Sequence, residues 1–402
     1  MINIAVLGFG IVGSGVVSVL DKNSEKITQN ANQPISVKYI LDIREFPESP
    51  YTHLFAKDFE AIVSDPDISI VVEAIGGINP ALEFTRRALE AGKSVVTSNK
   101  ELVAEHGAEL LALAKKKNAN YLFEASVGGG IPVVRPLAQC MTANIITEIY
   151  GVLNGTTNYI LTDMEKTGVD FSVSLLEAQN KGYAEADPSS DIDGHDTCRK
   201  ICILSSLAFG EHIFPSQVKT EGITGVTIKD LHYAAELGYK IKLLGRSRMV
   251  DDKVASYVAP HLVSNDCILS VVDGVTNGVV VRGNAVGDVV FCGAGAGKLP
   301  TASSVIADVI DASKHFHAQK WISWASGRND FVTNPTLLDS AWYIRTDASR
   351  EKVEKEFGNV IFSQGSAPEV AFITGVMNGE MIDDILKRGI SAKSQFRVLG
   401  DH

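Results

Sequence analysis

Five acids fall between Glu185 and Asp196, and Lys200 follows four positions after the last of them. So dense a run of carboxylates is costly unless the groups are well solvated or put to use. On a helix Asp196 and Lys200 share a face, because side chains four apart lie one turn above each other. A carboxylate beside a lysine is the pairing needed to hold a substrate ammonium and to move a proton. The plainer alternative is a surface ion pair, worth about 0.3–0.5 kcal/mol. A calcium loop is disfavoured, because the EF-hand order of acids, central glycine and terminal glutamate is missing. His195 fits either reading and is assigned no role.

The second chemical signal is Gly8-Phe9-Gly10-Ile11-Val12-Gly13. Gly8 permits a tight turn off a strand, Gly10 lets the backbone approach a pyrophosphate, and Gly13 lets the following helix pack close. The helix N-terminus offers N–H groups and partial positive charge to phosphates. The context strengthens the motif, because an apolar run precedes it and a helical pattern follows. A second strand then ends on Asp42. That acid is farther from the glycines than usual, owing to a polar insertion at Asp21–Pro34. Asp42 would accept hydrogen bonds from ribose hydroxyls, which favours NAD. Arg44 would pair with a 2′-phosphate, which favours NADP. A packing turn without ligand is the plain alternative.

Three further segments could do chemistry. Thr97-Ser98-Asn99-Lys100 ends a predicted parallel strand, the edge at which open α/β sheets bind ligands. An exposed loop lysine is the plainer reading of Lys100. Glu124-Ala125-Ser126-Val127-Gly128-Gly129-Gly130-Ile131-Pro132 exposes backbone groups that could cradle a ligand or a monovalent cation, or could merely connect domains. Asn154-Gly155-Thr156-Thr157-Asn158 joins a strand to a helix. It could bind a small polar ligand, or simply cap the helix through Thr156 or Thr157.

These segments need a frame to hold them. Strands are predicted at Ile2–Leu7, Ser36–Leu41, Ile68–Ala74, Ser94–Thr97 and Tyr121–Ala125. Helices are predicted at Val12–Leu20, Pro80–Ala91 and Glu105–Lys117. Alternation of this kind implies an α/β fold with a doubly wound parallel sheet of the Rossmann type. After Pro136 the pattern becomes α+β. Strands are predicted at Ile145–Leu153, Val254–Ser270, Val279–Val281 and Asp288–Cys292. Helices are predicted around Asn158–Lys166, Phe171–Asn180, 196–208 and Thr301–Lys314, with a further helical reading open at His232–Gly238. From about Trp321 a small α/β tail follows, with strands at Ser340–Arg345 and Val370–Gly375 and helices at Ser349–Phe357 and Met381–Lys387.

The chain has 402 residues, too many for one core, so two or three domains are expected. Its net charge of −11 and the lack of a basic stripe argue against nucleic acid and anionic membranes as partners. No apolar run reaches the roughly 18 residues of a membrane span. The five cysteines match no disulfide or zinc framework, so buried reduced thiols are expected. The apolar start lacks a basic leader and a cleavage site, which makes the cytoplasm the expected compartment.

Taken together, the motifs resemble those of homoserine dehydrogenase. They are GFGIVGSG at 8–15, TSNKELVAEHGAEL at 97–110, EASVGGGIP at 124–132, GVLNGTTNYIL at 151–161, GYAEADPSSDIDGHDTCRK at 182–200 and GAGAGKLPTASSVIADV at 293–309. They occur in the family's order and cover the chain to about residue 315. The resemblance implies interconversion of L-homoserine and L-aspartate 4-semialdehyde with NAD or NADP, in threonine, methionine and isoleucine biosynthesis. It implies that Glu185 and Asp196 bind the substrate ammonium and that Asn154, Gly155 and Thr156 line the pocket. Lys200 would be the proton donor, with Lys100 a second catalytic candidate. Gly8, Phe9, Gly10, Val12, Gly13, Asp42, Arg44, Thr97, Lys100 and Gly297 would serve the dinucleotide. A sodium ion would be held by the backbone of Glu124, Val127, Gly129 and Ile131. A homodimer or higher homo-oligomer is implied.

The implied domains are 1–135 for the dinucleotide, with a helix at about 301–314 packing back onto it, 136–300 for substrate and dimerisation, and 321–402 as an ACT-like module. Two departures stand out. Longer members carry a ligand turn, often with Pro-Gly, where this chain reads Thr346-Asp347-Ala348-Ser349-Arg350. The strand end Leu41-Asp42-Ile43-Arg44 also differs from the family's common basic version. No aspartate kinase segment is present, which implies the monofunctional form. Two other classes compete with this reading. Another Rossmann-type amino-acid or aldehyde oxidoreductase would act on the semialdehyde but not on homoserine. A non-catalytic NAD(P)-binding sensor would have no need of Glu185, Asp196 and Lys200 together.

Overall fold

The apolar run after the first residue forms strand β1 (Ile2–Leu7), whose last four side chains are fully buried. In the computed structural model, residues 1–318, 322–364 and 369–400 are described; the expected start of the tail at Trp321 lies outside them. The glycine turn leads into α1 (Ile11–Lys22) and α2 (Ser24–Ala31). The polar insertion at 21–34 therefore continues the helical path rather than looping out. Then come β2 (Ile35–Leu41), α3 (Phe59–Val63), β3 (Ile68–Glu73), α4 (Ala81–Glu90), β4 (Ser94–Thr97), α5 (Lys100–Lys116), β5 (Tyr121–Leu122) and α6 (Ala125–Gly128). Helix α5 starts five residues earlier than Glu105 because the Asn99 side chain accepts from the Leu102 amide at 3.1 Å and caps it.

The strands pair in parallel in the order β2-β1-β3-β4-β5. In this order the connections diverge at β1 and β3, so a crevice opens at the carboxyl ends of those two strands. Gly8 follows β1 and Ala74 follows β3, which places the glycine turn at that crevice.

The chain continues through β6 (Ile146–Val152), α7 (Gly155–Thr167), α8 (Phe171–Asn180), α9 (Ser189–Ile192), α10 (His195–Phe209), β7 (Lys219–Thr220), α11 (Ile228–Glu236), β8 (Tyr239–Val250), β9 (Lys253–Ser264), β10 (Thr276–Gly283), β11 (Gly287–Ala294) and α12 (Lys298–Lys314). It ends in β12 (Val332–Thr333), β13 (Trp342–Thr346), α13 (Arg350–Phe357), β14 (Ile361–Phe362), β15 (Val370–Ile373), α14 (Gly379–Lys387) and β16 (Ala392–Leu399). Two units result. One comprises Met1–Ile146, Cys202–Pro215 and Val281–Asn329; the other comprises Thr147–Ile201, Ser216–Val280 and the chain from Asp330 onwards.

In the first unit α12 packs on α1. A Cβ at Gly15 would lie 2.8 Å from the Lys298 carbonyl, so the two helices approach closely there. In the second unit the sheet runs β10-β6-β8-β9-β16-β13-β15-β14. The β8–β9 hairpin is its longest pairing, antiparallel from Tyr239↔Ser264 to Val250↔Lys253. The final βαββαβ segment adds to it through β16, which runs parallel to β9. That segment buries Trp342, Ile344, Val353, Phe357, Phe372 and Ile382 in a core of its own.

Strand β8 carries no clear strand signal in the sequence, because Lys240, Lys242 and Arg246 interrupt its apolar pattern. The structure satisfies these charges internally. Lys242 is 1% exposed and donates to Asn158 Oδ1, the Val272 carbonyl and Asp273 at 2.7–3.0 Å. Arg246 donates to Glu148 at 2.6 Å. The strand expected over 254–270 stops at Ser264, where a turn and a short 3-10 helix (Ile268–Val271) follow. The C-terminal segment is tied to α11 through a second buried charge. Asp230, fully buried, accepts from Arg345 Nε at 2.7 Å, Thr227 Oγ1 at 2.6 Å and Ser394 Oγ at 3.0 Å.

Candidate functional site

The first unit presents the dinucleotide turn in the geometry its glycines require. Gly8 has φ +88°, and a Cβ there would lie 2.6 Å from the Ala74 carbonyl. A Cβ at Gly13 would meet the Gly8 carbonyl at 1.8 Å, so only glycine lets α1 start this close to β1. Gly10 caps α1 without a side-chain hydrogen bond. The first amides of the helix are thereby left for an anion. The Phe9 ring is buried among Phe46 and Phe55, at 5.1 and 5.4 Å between centroids. Its ring is turned into this cluster, and its amide donates to Asp42 Oδ2 at 2.6 Å. Val12 is half-buried in the first turn of α1, and Gly297, at φ +122°, immediately precedes α12.

A cavity of about 820 Å³ opens beside the turn, lined by Gly8, Gly10, Asp42, Arg44, Lys57 and Phe84 among others. This space, with the uncapped helix start, fits a dinucleotide. Asp42 Oδ1 accepts from the Arg44 amide and Nε, both at 2.9 Å. Its Oδ2 accepts from the Phe9 amide at 2.6 Å and from Arg44 at 2.9 Å. The Arg44 guanidinium is the main reason the Asp42 carboxyl titrates well below the usual range. Those four bonds use the acceptor capacity of a carboxylate. A ribose diol must therefore displace Arg44 to reach Asp42.

Thr97 and Lys100 sit where β4 meets α5. Thr97 is fully buried and donates to Glu73 Oε2 at 2.6 Å. Glu73 Oε1 accepts from the amides of Ile75 and Gly76, at 2.8 and 3.3 Å. Burial raises the pKa of Glu73, while these donors oppose that shift. Asn99 Nδ2 donates to the Gly77 carbonyl at 2.6 Å, tying the loop after β3 to the start of α5. Lys100 is the first residue of that helix and is half-buried.

The triple-glycine loop is braced from beneath. Glu124 accepts from the amides of Val133, Val134 and Arg135 at 2.7–2.8 Å. Its own amide donates to Asp308 at 2.8 Å. Burial, with Glu124 nearby, pushes Asp308 up to about 8 against the pull of Arg135. With its carboxylate so engaged, Glu124 has only its main-chain carbonyl to offer a cation. Gly129 is held at φ +58°, and the Val127, Gly129 and Ile131 carbonyls accept no loop or turn amide among the described residues. Carbonyls that accept no such amide are the oxygens a backbone-bound cation would use.

The second unit brings together Asn154, Asp196 and Lys200. Asn154 caps α7, its Oδ1 accepting from the Thr157 amide at 2.8 Å. The expected capping residues, Thr156 and Thr157, are displaced from that role because the helix begins at Gly155. Asn154 Nδ2 donates to Asp196 Oδ2 at 2.8 Å, and Lys200 Nζ donates to the same oxygen at 2.7 Å. Lys200 also donates to the Leu153 carbonyl at 2.8 Å. Asp196 and Lys200 are 3% and 7% exposed, which rules out the surface ion pair. Thr156 Oγ1 donates to the Tyr183 carbonyl at 2.6 Å and anchors the loop that carries Glu185. Gly155 backs onto Val275, whose carbonyl a Cβ would meet at 2.8 Å. Glu185 is exposed, and its carbonyl accepts from Gln179 at 3.1 Å.

Two residues of this cluster had no role in the sequence reading. Asp191 accepts from Asn154 Nδ2 at 2.7 Å, and its pKa is raised by burial and by neighbouring Asp196. Its spacing, five before Asp196, carries no helical signal because Asp191 sits on α9 and a turn separates that helix from α10. Asn277 donates to the Leu153 carbonyl at 2.8 Å, while its Oδ1 is buried without a partner among the described residues. It comes from 77 positions beyond Lys200, and nothing local marks it.

Comparison with known proteins identifies the family. Residues 8–124 match the family model described as the NAD-binding domain of homoserine dehydrogenase, and residues 132–310 match that of homoserine dehydrogenase itself. The homoserine dehydrogenase of Helicobacter pylori is 40% identical over 400 residues, covering 99% of this chain and 91% of that one. The crystal structure of a homoserine dehydrogenase from Thiobacillus denitrificans superposes with a TM-score of 0.91 at 35% identity, covering 99% of this chain and 98% of that one. A hyperthermophilic archaeal homoserine dehydrogenase in complex with NADPH superposes at 0.66 with 28% identity, over 78% of this chain and 97% of its own. With a glycine turn, a buried acid–lysine cluster and relatives matched along almost its whole length, this chain belongs to the homoserine dehydrogenase family.

Proposed function

We propose that this enzyme interconverts L-homoserine and L-aspartate 4-semialdehyde, with Lys200 as its proton-transfer group. The observation that carries the assignment is the buried Asp196–Lys200 pair fixed by Asn154. A nicotinamide dinucleotide held at the glycine turn would supply the hydride donor or acceptor. In the reducing direction Lys200, held as an ammonium against Asp196, gives its proton to the aldehyde oxygen as charge develops there. In the oxidising direction it takes the proton from the homoserine hydroxyl. Asp196, Asp191 and Glu185 hold the substrate ammonium, and Asn154, Gly155 and Thr156 shape the pocket. Lys100 is the second candidate for a group at the reacting atoms. Thr97, Val12 and Gly297 serve the dinucleotide through their positions at the turn and the helix starts.

Arg44 sets the choice of dinucleotide in this reading. A 2′-phosphate draws the guanidinium off Asp42, and Lys57 lines the same cavity. NAD instead needs the Asp42 oxygens that Arg44 covers. The Asp42–Arg44 pair is thus the point at which the two dinucleotides are distinguished. A sodium ion bound by the carbonyls of Glu124, Val127, Gly129 and Ile131 holds the triple-glycine loop. The exposed apolar side chains Ile268, Val271 and Val275, at 52%, 70% and 43% exposure, mark a surface that a second copy covers, giving a homodimer. No helix among the described residues is long and apolar enough to cross a membrane, and none of the five cysteines forms a disulfide among the described residues. Both features suit an NAD(P) enzyme of amino-acid biosynthesis working in the cytoplasm.

Lys200→Ala should abolish turnover and leave dinucleotide affinity nearly intact. Residual kcat above about a tenth of wild type, roughly 1.4 kcal/mol of barrier, would exclude Lys200 as the proton donor. Arg44→Ala should raise KM for NADP about tenfold, the scale of one lost charge-assisted pair, and lower that for NAD. Equal shifts for both cofactors refute the Arg44 assignment. Thermal unfolding in sodium chloride should occur at a higher temperature than in choline chloride of equal strength; identical curves count against the cation site. Light scattering at micromolar concentration should report a dimer, and a monomer contradicts the proposed interface.

A further inference from the structure

Lys200 shares an acceptor with a side chain from a distant part of the second unit. Its Nζ and Asn277 Nδ2 both donate to the Leu153 carbonyl, each at 2.8 Å. A carbonyl oxygen has two lone pairs, so these two donors fill it. Leu153 is 1% and Asn277 2% exposed, so bulk water is excluded from both bonds.

The fold delivers Asn277 to this point from both sides. It is the second residue of β10, the strand beside β6. Before it, the Thr276 carbonyl accepts from Asn158 Nδ2 at 3.1 Å, and Asn158 Oδ1 is in turn held by Lys242 at 3.0 Å. After it, Gly278 presses on Gly151, where a Cβ would lie 2.3 Å from the Gly278 carbonyl. With the main chain pinned on either side, the amide reaches the Leu153 carbonyl just past the end of β6. Turning Nδ2 to that carbonyl leaves Oδ1 buried without a partner among the described residues. A buried amide oxygen in that state is a cost to folding, which an apolar side chain of the same shape would avoid. Stability therefore explains Asn277 poorly.

The chemistry of Lys200 explains it better. Nζ is held between the Leu153 carbonyl and Asp196 Oδ2, and Asn154 joins Asp196 to Asp191, the next carboxylate of the cluster. When Lys200 gives up its proton it becomes a neutral amine, a weaker donor than the ammonium. Without Asn277 the buried carbonyl would lose most of its satisfaction at that moment, and the peptide would gain a reason to turn. The Asn277 donor is neutral and is the same in both protonation states of the lysine. It holds the acceptor still while the charge on Lys200 comes and goes, so no reorganisation is needed as the proton moves.

We propose that Asn277 is a positioning residue for the dehydrogenase reaction, keeping Lys200 Nζ in line through the Leu153 carbonyl. The proposal rests on the reading of Lys200 as the proton-transfer group.

Asn277→Leu keeps the branched shape of the side chain and removes the donor. Its kcat should fall about tenfold in both directions, the scale of one hydrogen bond lost from the transition state. KM for homoserine should stay within about twofold, because the acids that hold the ammonium keep Asn154. The solvent deuterium isotope effect on kcat should rise, since proton transfer becomes the slower step. The unfolding temperature should equal or exceed that of wild type once the unpartnered Oδ1 is gone. A purely structural residue would instead lower the active fraction and leave the isotope effect where it was. Asn277→Ser, one bond shorter, vacates space rather than crowding the site. It should show the same loss of kcat and the same isotope effect, and decides the matter if Asn277→Leu does not fold. The proposal is overturned if a folded variant keeps kcat within about twofold of wild type, if the loss lies in KM alone, or if the isotope effect does not move. Lys200→Ala separates the two readings. If it keeps more than about a tenth of wild-type kcat, the Lys200 assignment falls and this proposal with it. If it is inactive while the Asn277 variants turn over normally, only the role of Asn277 is lost.

Discussion

The Asp196–Lys200 pair, closed over by Asn154, is the interaction on which the rest of the second unit's charged cluster depends. Both charges lie almost wholly out of water. Moving such groups into the interior costs several kcal/mol each, and the pair is tolerable only because every contact is made well. Asn154 lies two residues beyond β6, caps α7 and bridges Asp191 to Asp196, so one amide sets the entry of one helix and the charged face of another. The Leu153 carbonyl, turned to meet Lys200 and Asn277, belongs to the same knot. Remove either charge and the other is left buried and unpaired, a loss of about 3–5 kcal/mol. The stability of this region and its chemistry are therefore not separable.

The same device recurs in the dinucleotide unit with a different partner. Glu73 and Glu124 are buried carboxylates that accept main-chain amides instead of pairing with a lysine. Glu73 holds the loop after β3 against Thr97, and Glu124 holds the turn after the glycines. Loops at ligand sites pay heavily in conformational entropy when they are ordered, and a charge-assisted bond to an amide is among the stronger ways to offset that. Asp42 follows the same rule in part: it accepts the Phe9 and Arg44 amides, and the Arg44 guanidinium besides. That guanidinium belongs to a side chain 59% exposed to solvent.

Much of the frame was legible because its signals are local. The five strands expected up to residue 125 all appear in the parallel sheet, although the fifth stops at Leu122 and Ala125 opens a short helix instead, and the glycines marked the turn. The expected helices at Phe171–Asn180 and near the C-terminus were found within a few residues. The misses have physical causes. Strand β8 was hidden because Lys240, Lys242 and Arg246 read as surface, yet Asp273 and Glu148, far away in sequence, neutralise them. Strand β16 was hidden by Lys393, Ser394 and Arg397 in the same way. The helix start at Lys100 was missed because an asparagine cap four residues or more before the apolar pattern is a weak signal.

For the site, residue identity and spacing determined the dinucleotide turn, the shared face of Asp196 and Lys200 and the family to which the chain belongs. All three follow from short-range rules: the steric demand for glycine, the pitch of a helix and the order of motifs along the chain. Only the tertiary structure decided that the acid–lysine pair is buried rather than solvated. It alone brought Asn154, Asp191 and Asn277 to that pair and laid Arg44 over Asp42. These depend on which surfaces exclude water, and burial is a property of distant chain segments meeting. No local pattern encodes it.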